Sequence, residues 1–505
     1  MTFNQVVRGS NPRCFICIEA EERDPSGLFL SLWLDLIRGE DMGLNILFVK
    51  DKSFYRKLFA VAFPIILQNM ITIGVNMMDT IMLGKYGEIQ LSGSSLASDF
   101  INVFQILCLG VGSGAAVLTA QYWGSRDLVR LKKVVALMLR LAFGFALIFT
   151  FATFFFAPQI MRIYTNDIEV IEKGVLYFRW SIITYILMSL TYTLTQVLRS
   201  VRLVRIPLYA SIVGFVTNIF FNWVFIFGHL GAPEMQIAGA ALGTVIARFF
   251  ETSIIATYFF VRDKKIGFRI RHIFMKAGDE WRKYLKYSIP VILSDSLLGF
   301  GNSAVSIVIG HMGTRFVAAY AIIGVLQRLS TIFSAGLGQA AHTITGNRIG
   351  EGKTEQAFRE AITMLSIAFL IGVLAAVLLR IFGPYVIGMY EIQPETREIA
   401  IQMLNALCIM ITFQAFQSVI TKGILRGGGD ILFALGIDAV FMWLISIPAG
   451  FYIGLVLHGS AFATVLALKI DWAVKSVIGL IRVLSKKWIH SLVVYYERKS
   501  MREIQ

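Results

Sequence analysis

Residues 63–87 (FPIILQNMITIGVNMMDTIMLGKYG) return in outline as residues 289–313 (IPVILSDSLLGFGNSAVSIVIGHMG), a shift of 226 residues (290 − 64). The offset persists without a gap. Residues 110–124 (GVGSGAAVLTAQYWG) align with 336–350 (GLGQAAHTITGNRIG), and Pro158 with Pro384. A chain written twice on one template folds as two sister units, and in a very apolar chain such a duplication is the usual mark of a membrane transporter.

Composition places the chain in a bilayer. Hydrophobic residues make up 56%, charged residues 16%, and the mean hydropathy is +0.69, whereas soluble domains carry about a quarter charged residues. Apolar runs such as 134–156 and 361–379 reach the roughly 20 residues a helix needs to cross the hydrocarbon with its backbone bonded internally. The sequence predicts about twelve such spans, starting near residues 57, 92, 134, 174, 207, 238, 285, 317, 361, 399, 432 and 459. An even number of crossings per copy makes the repeat parallel, with its pseudo-twofold axis along the membrane normal. The expected fold is an all-α membrane protein of twelve transmembrane helices in two six-helix lobes.

Residues 50–261 form the expected N-terminal lobe, 262–284 a basic linker, 285–484 the C-terminal lobe and 485–505 a tail. Basic residues gather before span 1 (Lys50, Lys52, Arg56, Lys57) and in alternate loops (Arg126, Arg130, Lys132, Lys133; Arg199, Arg202, Arg205; the linker; Arg348, Lys353, Arg359). By the positive-inside rule both termini are cytoplasmic. The net charge of +15 is thus a topology signal and not a nucleic-acid footprint. Residues 1–49 form an expected N-terminal tail, of which the first 41 do not fit the rest: an acidic run (Glu19, Glu21, Glu22, Asp24) precedes an apolar patch too short to span, and the acidic flank is wrong for a secretory signal. Translation is expected to start at Met42, and Cys14 and Cys17 form a lone CxxC without a second pair.

Polar groups are costly at mid-membrane, about 2.5–3.5 kcal/mol for a carboxylate on insertion scales. Asp79 in span 1, Asp295 in span 7 and Asp438 in span 11 therefore need a reason. Asn69, Asn76 and Asp79 share one helical face at i, i+7 and i+10, and Asn218 and Asn222, at i and i+4, offer a matching face in span 5. Asp295 is the repeat mate of Asn69, and Asn302 that of Asn76, so the second lobe has its own polar face with the acid at the other end. Asp295 reads either as a coupling acid or as a helix-end acid at the water interface; Asp438 reads as a coupling acid or a partner of Lys422 or Lys475. Arg248 and Glu251, at i and i+3, are spaced for a local ion pair. Pro64 and Pro290 inside spans 1 and 7 favour bends. Met70, Met77, Met78 and Met82, with Phe100, Tyr185 and Tyr192, offer an adaptable apolar cavity for bulky organic cations, although methionines on a membrane helix are more often packing.

The repeated proline, polar-dotted helix and paired-glycine ending (Leu83-Gly84-Lys85-Tyr86-Gly87 and Ile309-Gly310-His311-Met312-Gly313) resemble the multidrug and toxic compound extrusion (MATE) transporters. So do GAAVLTAQYWGSRD (114–127), LRGGGD (425–430) and the pair Asn218 and Asn222, with a tail that looks like a bacterial subgroup. The resemblance implies an antiporter in the bacterial cell membrane that exports organic, often cationic, drugs by alternating access, as a monomer among lipids, without a cofactor and driven by H⁺ or Na⁺. It also implies a cation site in the N-terminal lobe at Asp79, Asn218, Asn222 and Thr244. Asn222 stands where relatives often have Asp, which favours a proton on a lone Asp79. Asp295, Asn302 and Asp438 are the coupling or substrate candidates of the C-terminal lobe, and Met70, Asn76, Met77, Tyr185 and Tyr192 those of a substrate cavity.

Two other classes lack their signatures. The six histidines are scattered without ligand spacing, there is no Walker loop, and no soluble signalling domain is appended. A lipid-linked-precursor flippase of the same superfamily is the related alternative; it is expected to show further spans or a strongly cationic central cavity, and the sequence displays neither.

Overall fold

The computed structural model describes residues 48–390 and 392–491, so the expectations for the first 47 residues and for the end of the tail lie outside the described residues. Among the described residues the ordered structure is entirely helical. The N-terminal lobe comprises α1 (Lys52–Gly84), α2 (Glu88–Gly124), α3 (Leu128–Tyr164), α4 (Ile168–Ser181), α5 (Thr184–Ser200), α6 (Arg205–Phe227) and α7 (Ile237–Arg262). The C-terminal lobe follows with α8 (Glu280–His311), α9 (Thr314–Gly350), α10 (Thr354–Gly388), α11 (Pro394–Gly428), α12 (Ile431–Val456), α13 (Ala461–Leu468) and α14 (Ile470–Leu484).

Ten of these helices are long and apolar enough to cross a membrane, and α4 with α5, bent by 61°, makes an eleventh. The expected twelfth span is split. Lys469 separates α13 from α14, and Lys469, Asp471 and Lys475 crowd its middle, a charge density that no uninterrupted lipid-facing helix sustains. Helices α1 and α8 run through Pro64 and Pro290 without a break, while the backbone of α3 leaves helical geometry at Phe156 (φ −119°, ψ 20°), two residues before Pro158. Helix α8 begins at Glu280, ahead of the expected start of span 7 near residue 285; Glu280 sits in its acid-favouring first turn, and its carboxylate is held by Tyr122 (2.8 Å) and Lys283 (2.7 Å).

Each lobe has its own apolar core. In the first, Leu118, Leu131, Val134, Leu194 and Phe259 are buried together; in the second, Ile309, Ile323, Leu404 and Val465. The basic linker lies on the first lobe, with Ile266 and Phe268 inside its core and Asp263 capping the backbone N–H groups of Lys265, Ile266 and Gly267. The repeated paired-glycine ending has a structural cause: Gly87 (φ 99°) and Gly313 (φ 114°) precede α2 and α9 in a conformation that side-chain-bearing residues avoid.

The lobes meet along one half of the molecule. Gly114 lies so close to Ser288, and Gly350 so close to the Gln121 carbonyl, that a Cβ at either position would collide. Asn347 donates to the Ser200 carbonyl (3.1 Å) and Thr343 to the Arg199 carbonyl (3.2 Å). These contacts sit at the ends of α2, α5 and α9 that lead into the basic loops.

Candidate functional site

The four residues expected to form the first site come together from three helices. Asn222 on α6 donates through Nδ2 to Asp79 Oδ1 on α1 at 2.5 Å and to Asn218 Oδ1 at 3.4 Å; Asn218 Nδ2 donates to Thr244 Oγ1 on α7 at 3.4 Å. The i, i+4 spacing of the two asparagines does this, since it stacks both amides on the face of α6 that packs against α1 and α7. Asn222 is buried, and Gly243 leaves room for its Oδ1, where a Cβ would clash. That oxygen has no hydrogen-bond partner. No ion pair satisfies Asp79 among the described residues; Arg248, whose charge reaches it, is bound to Glu251 at 2.7 Å. A small cavity of about 30 Å³, room for one water, is lined by Asn218, Thr244, Arg248 and Glu251.

From Glu251 a chain of hydrogen bonds leads out of the lobe. Ser211 donates to Glu251 Oε1 (2.9 Å) and accepts from Gln68 Nε2 (3.0 Å); Gln68 Oε1 accepts from Arg199 Nη2 (2.5 Å); and Arg199 Nη1 donates to Gln339 on α9, in the opposite lobe. Arg199, which the sequence reading counts as a loop charge, is therefore a correction: it is 8% exposed, inside α5, and clamps the lobes together.

Asp295 is mid-helix in α8, not at a helix end. Arg426 grips it through two parallel bonds (2.8 and 3.2 Å), the fork geometry that makes guanidinium–carboxylate pairs strong. Ser294 accepts from Arg426 (3.1 Å) and donates to Asp438 (3.0 Å). Asp438 faces Lys475 at 3.5 Å, not Lys422, and Lys475 binds Asp471 at 2.8 Å, with Ser446 beyond. Asn302, by contrast, is exposed and joins none of these bonds; it lines the space between the groups. Sequence spacing could not give this network, whose members come from α8, α11, α12 and α14.

Between the lobes lies a cavity of about 370 Å³. Arg199, Lys422 and Arg426 line it against a single carboxylate, Asp295, with Ile106, Leu109 and Leu298 supplying apolar wall. The sequence displays no strongly cationic central cavity, yet the folded chain has one, because the three cations converge from α5 and α11 only on folding. Met70, Asn76, Met77, Tyr185 and Tyr192, expected at a substrate cavity, line neither this cavity nor those of about 30 and 280 Å³. Tyr185 is fully buried against Phe104, Tyr192 stacks under Arg248, and Met70 and Met77 are 44% and 51% exposed on α1.

The MatE family model matches this chain twice, over residues 64–224 and 290–452, and the two matches begin 226 residues apart, the offset of the internal repeat. The chain belongs to the MatE family. A MatE relative from Bacillus subtilis, described as the uncharacterized transporter YisQ, is 22% identical over 441 residues, covering 87% of this chain and 96% of the relative. A probable multidrug resistance protein NorM from Agrobacterium fabrum is 25% identical over 447 residues, covering 84% and 95%. Among solved structures, an outward-facing multidrug resistance MATE transporter superposes with a TM-score of 0.78 at 19% identity, over 87% of this chain and 99% of that one. The MatE fold therefore accounts for both lobes.

Proposed function

We propose that this MatE protein is a proton-coupled antiporter that expels organic compounds across the bacterial cell membrane by alternating access, with Asp79 carrying the coupling proton. The observation that carries this reading is the Asp79 environment: one carboxylate beside two amides and a hydroxyl, with no ion-pair partner. A proton neutralises such a group in one step. With asparagines at both span-5 positions the site offers a sodium ion a single negative charge, that of Asp79. Asn222 Oδ1, unpartnered now, accepts the proton of a neutral Asp79 once the amide turns over.

With both termini on the cytoplasmic side, as the basic loops direct, the contacts between the lobes close the cytoplasmic half and the cavity faces outward. The outward-facing solved relative supports that assignment, and the names of the curated relatives support efflux. Losing the Asp79 charge changes the field on Arg248. Through Glu251, Ser211 and Gln68 that change reaches Arg199, the residue that both clamps the lobes and lines the cavity. Rocking of the lobes follows from loosening that clamp.

The test uses proteoliposomes bearing either a pH gradient or a Na⁺ gradient, with fluorescein and the cationic methyl ester of rhodamine as probes. Dye accumulation driven by the pH gradient alone is expected. Accumulation driven by Na⁺ alone, or by neither gradient, overturns the proton reading.

A further inference from the structure

Three positive charges, Arg199, Lys422 and Arg426, stand on the wall of the central cavity against one carboxylate, Asp295, so the wall carries positive charge in excess. Arg426 is neutralised by Asp295. Arg199 is not: both of its bonded nitrogens go to the uncharged amide oxygens of Gln68 and Gln339. Lys422 forms no hydrogen bond and no ion pair among the described residues, although its charge reaches Asp295; it is exposed where this cavity adjoins a second one of about 280 Å³, whose carboxylates Asp438 and Asp471 are both bound to Lys475. Inside a membrane an uncompensated cation is expensive and is kept where something pairs with it. The donors also point to a missing acceptor. The Nε atoms of Arg199 and Arg426, on side chains 8% and 5% exposed, have no hydrogen-bond partner, and a buried unsatisfied guanidinium N–H costs free energy that a bound anion removes.

The backbone adds to this arrangement. Helix α11 widens to i→i+5 bonding over Val419–Leu425, directly before Arg426, and such one-turn expansions recur at functional sites because they re-aim side chains. Here the widened stretch carries Lys422 and delivers Arg426 to the same cavity. Arg199 approaches from the other lobe, so the site is complete only when the lobes are closed on the side of the basic loops.

We infer that the transported compound is an organic anion, whose phosphate, carboxylate or sulfonate sits among Arg199, Lys422 and Arg426 while an apolar body lies against Ile106, Leu109 and Leu298. The inference rests on the central cavity being the transport site of the proposed antiporter, and it reverses the charge expected from the family resemblance. Organic cations are disfavoured in this cavity by the same charges that favour anions. Because Arg199 is also the clamp between the lobes, an occupied anion site competes with Gln68 and Gln339 for its guanidinium, and substrate and coupling acid then act on one residue from opposite ends.

The test is equilibrium binding to the purified full-length chain in neutral detergent, followed by anisotropy, with fluorescein as anion and the methyl ester of rhodamine as cation on the same ring system. Fluorescein is expected to bind at least about ten-fold more tightly than the ester, the scale of one charge-assisted contact. Lys422→Gln is expected to remove about that factor for fluorescein and not for the ester, whereas Lys422→Arg retains it. Arg199→Gln also disturbs the packing of the lobes, so the two Lys422 variants decide. Nanodiscs separate the sources of the anion. Loss of fluorescein binding in phosphatidic acid but not in phosphatidylcholine assigns the site to a lipid phosphate; binding retained in both assigns it to a soluble anion. Tighter binding of the ester, or no effect of Lys422→Gln on fluorescein, overturns the inference. Binding at equilibrium needs no gradient, so a chain that selects fluorescein yet shows no proton-driven flux contradicts the coupling reading alone.

Discussion

Asp79→Asn is expected to lower dye accumulation driven by a pH gradient sharply, while the dye still binds at equilibrium with an affinity that no longer changes with the charge at this position. The substitution changes one atom and fixes the side chain in a neutral, amide form that still accepts from Asn222 at the 2.5 Å contact. What it removes is the change of charge. Coupling free energies between sites of about 1–3 kcal/mol correspond to factors of roughly 5 to 150, so gradient-driven flux should fall by a factor in that range. The network itself predicts the division between flux and binding. Asp79 touches Asn222, whereas the cavity is lined by Arg199, which four hydrogen bonds through Glu251, Ser211 and Gln68 join to Arg248, itself reached by Asp79 only through its charge. A variant that transports like the parent under the same gradient removes Asp79 from the mechanism. One that loses flux together with dye binding makes Asp79 a structural or substrate-contacting group.

Lys475→Met is expected to be the most destabilising single change among the charged residues of the second lobe. Lys475 is 1% exposed and lies between Asp438 at 3.5 Å and Asp471 at 2.8 Å, which are 2% and 3% exposed. Removing the cation leaves two like charges buried and unpaired, and breaking a buried pair in this way costs about 3–5 kcal/mol. Thermal unfolding in detergent reads the loss. Adding Asp438→Asn and Asp471→Asn to the same chain should recover much of it, since a neutral hydrogen-bonded set costs little against a complete ion network. A Lys475→Met protein that melts with the parent, or a triple variant no more stable than the single one, rules out this account of the network.

How far the sequence alone reaches depends on which information a residue carries locally. The repeat, the helical class and the clustering of Asp79 with the asparagines of span 5 are legible, because Asn218 and Asn222 share a helix and Asp79 stands out as a charge in an apolar run. The Asp438–Lys475 pairing was one of two options, and only the packing of α12 against α14 separates Lys475 from Lys422. The central cavity was not legible. Arg199 lies at the end of a span, where its charge reads as a positive-inside signal, yet the clamp to Gln339 depends on the docking of two lobes. Met70 and Met77 failed in the opposite sense: an apolar face that meets lipid and one that lines a cavity have the same periodicity, and here the exposed faces belong to α1. The split of the last span at Lys469 was hidden for a related reason, since charges that pair inside a bundle look, residue by residue, like charges that end a helix.

The central claim is that the charge on Asp79 sets the disposition of the two lobes, and a distance measurement addresses it directly. Spin labels at Glu88 and Thr314, exposed repeat mates at the starts of α2 and α9, on a chain with its cysteines replaced, report the separation of the lobes on the side away from the basic loops. The account predicts two distance populations whose ratio shifts between alkaline and acidic pH in the parent, and a single pH-independent population in Asp79→Asn. A pH-dependent shift that survives in Asp79→Asn would contradict it.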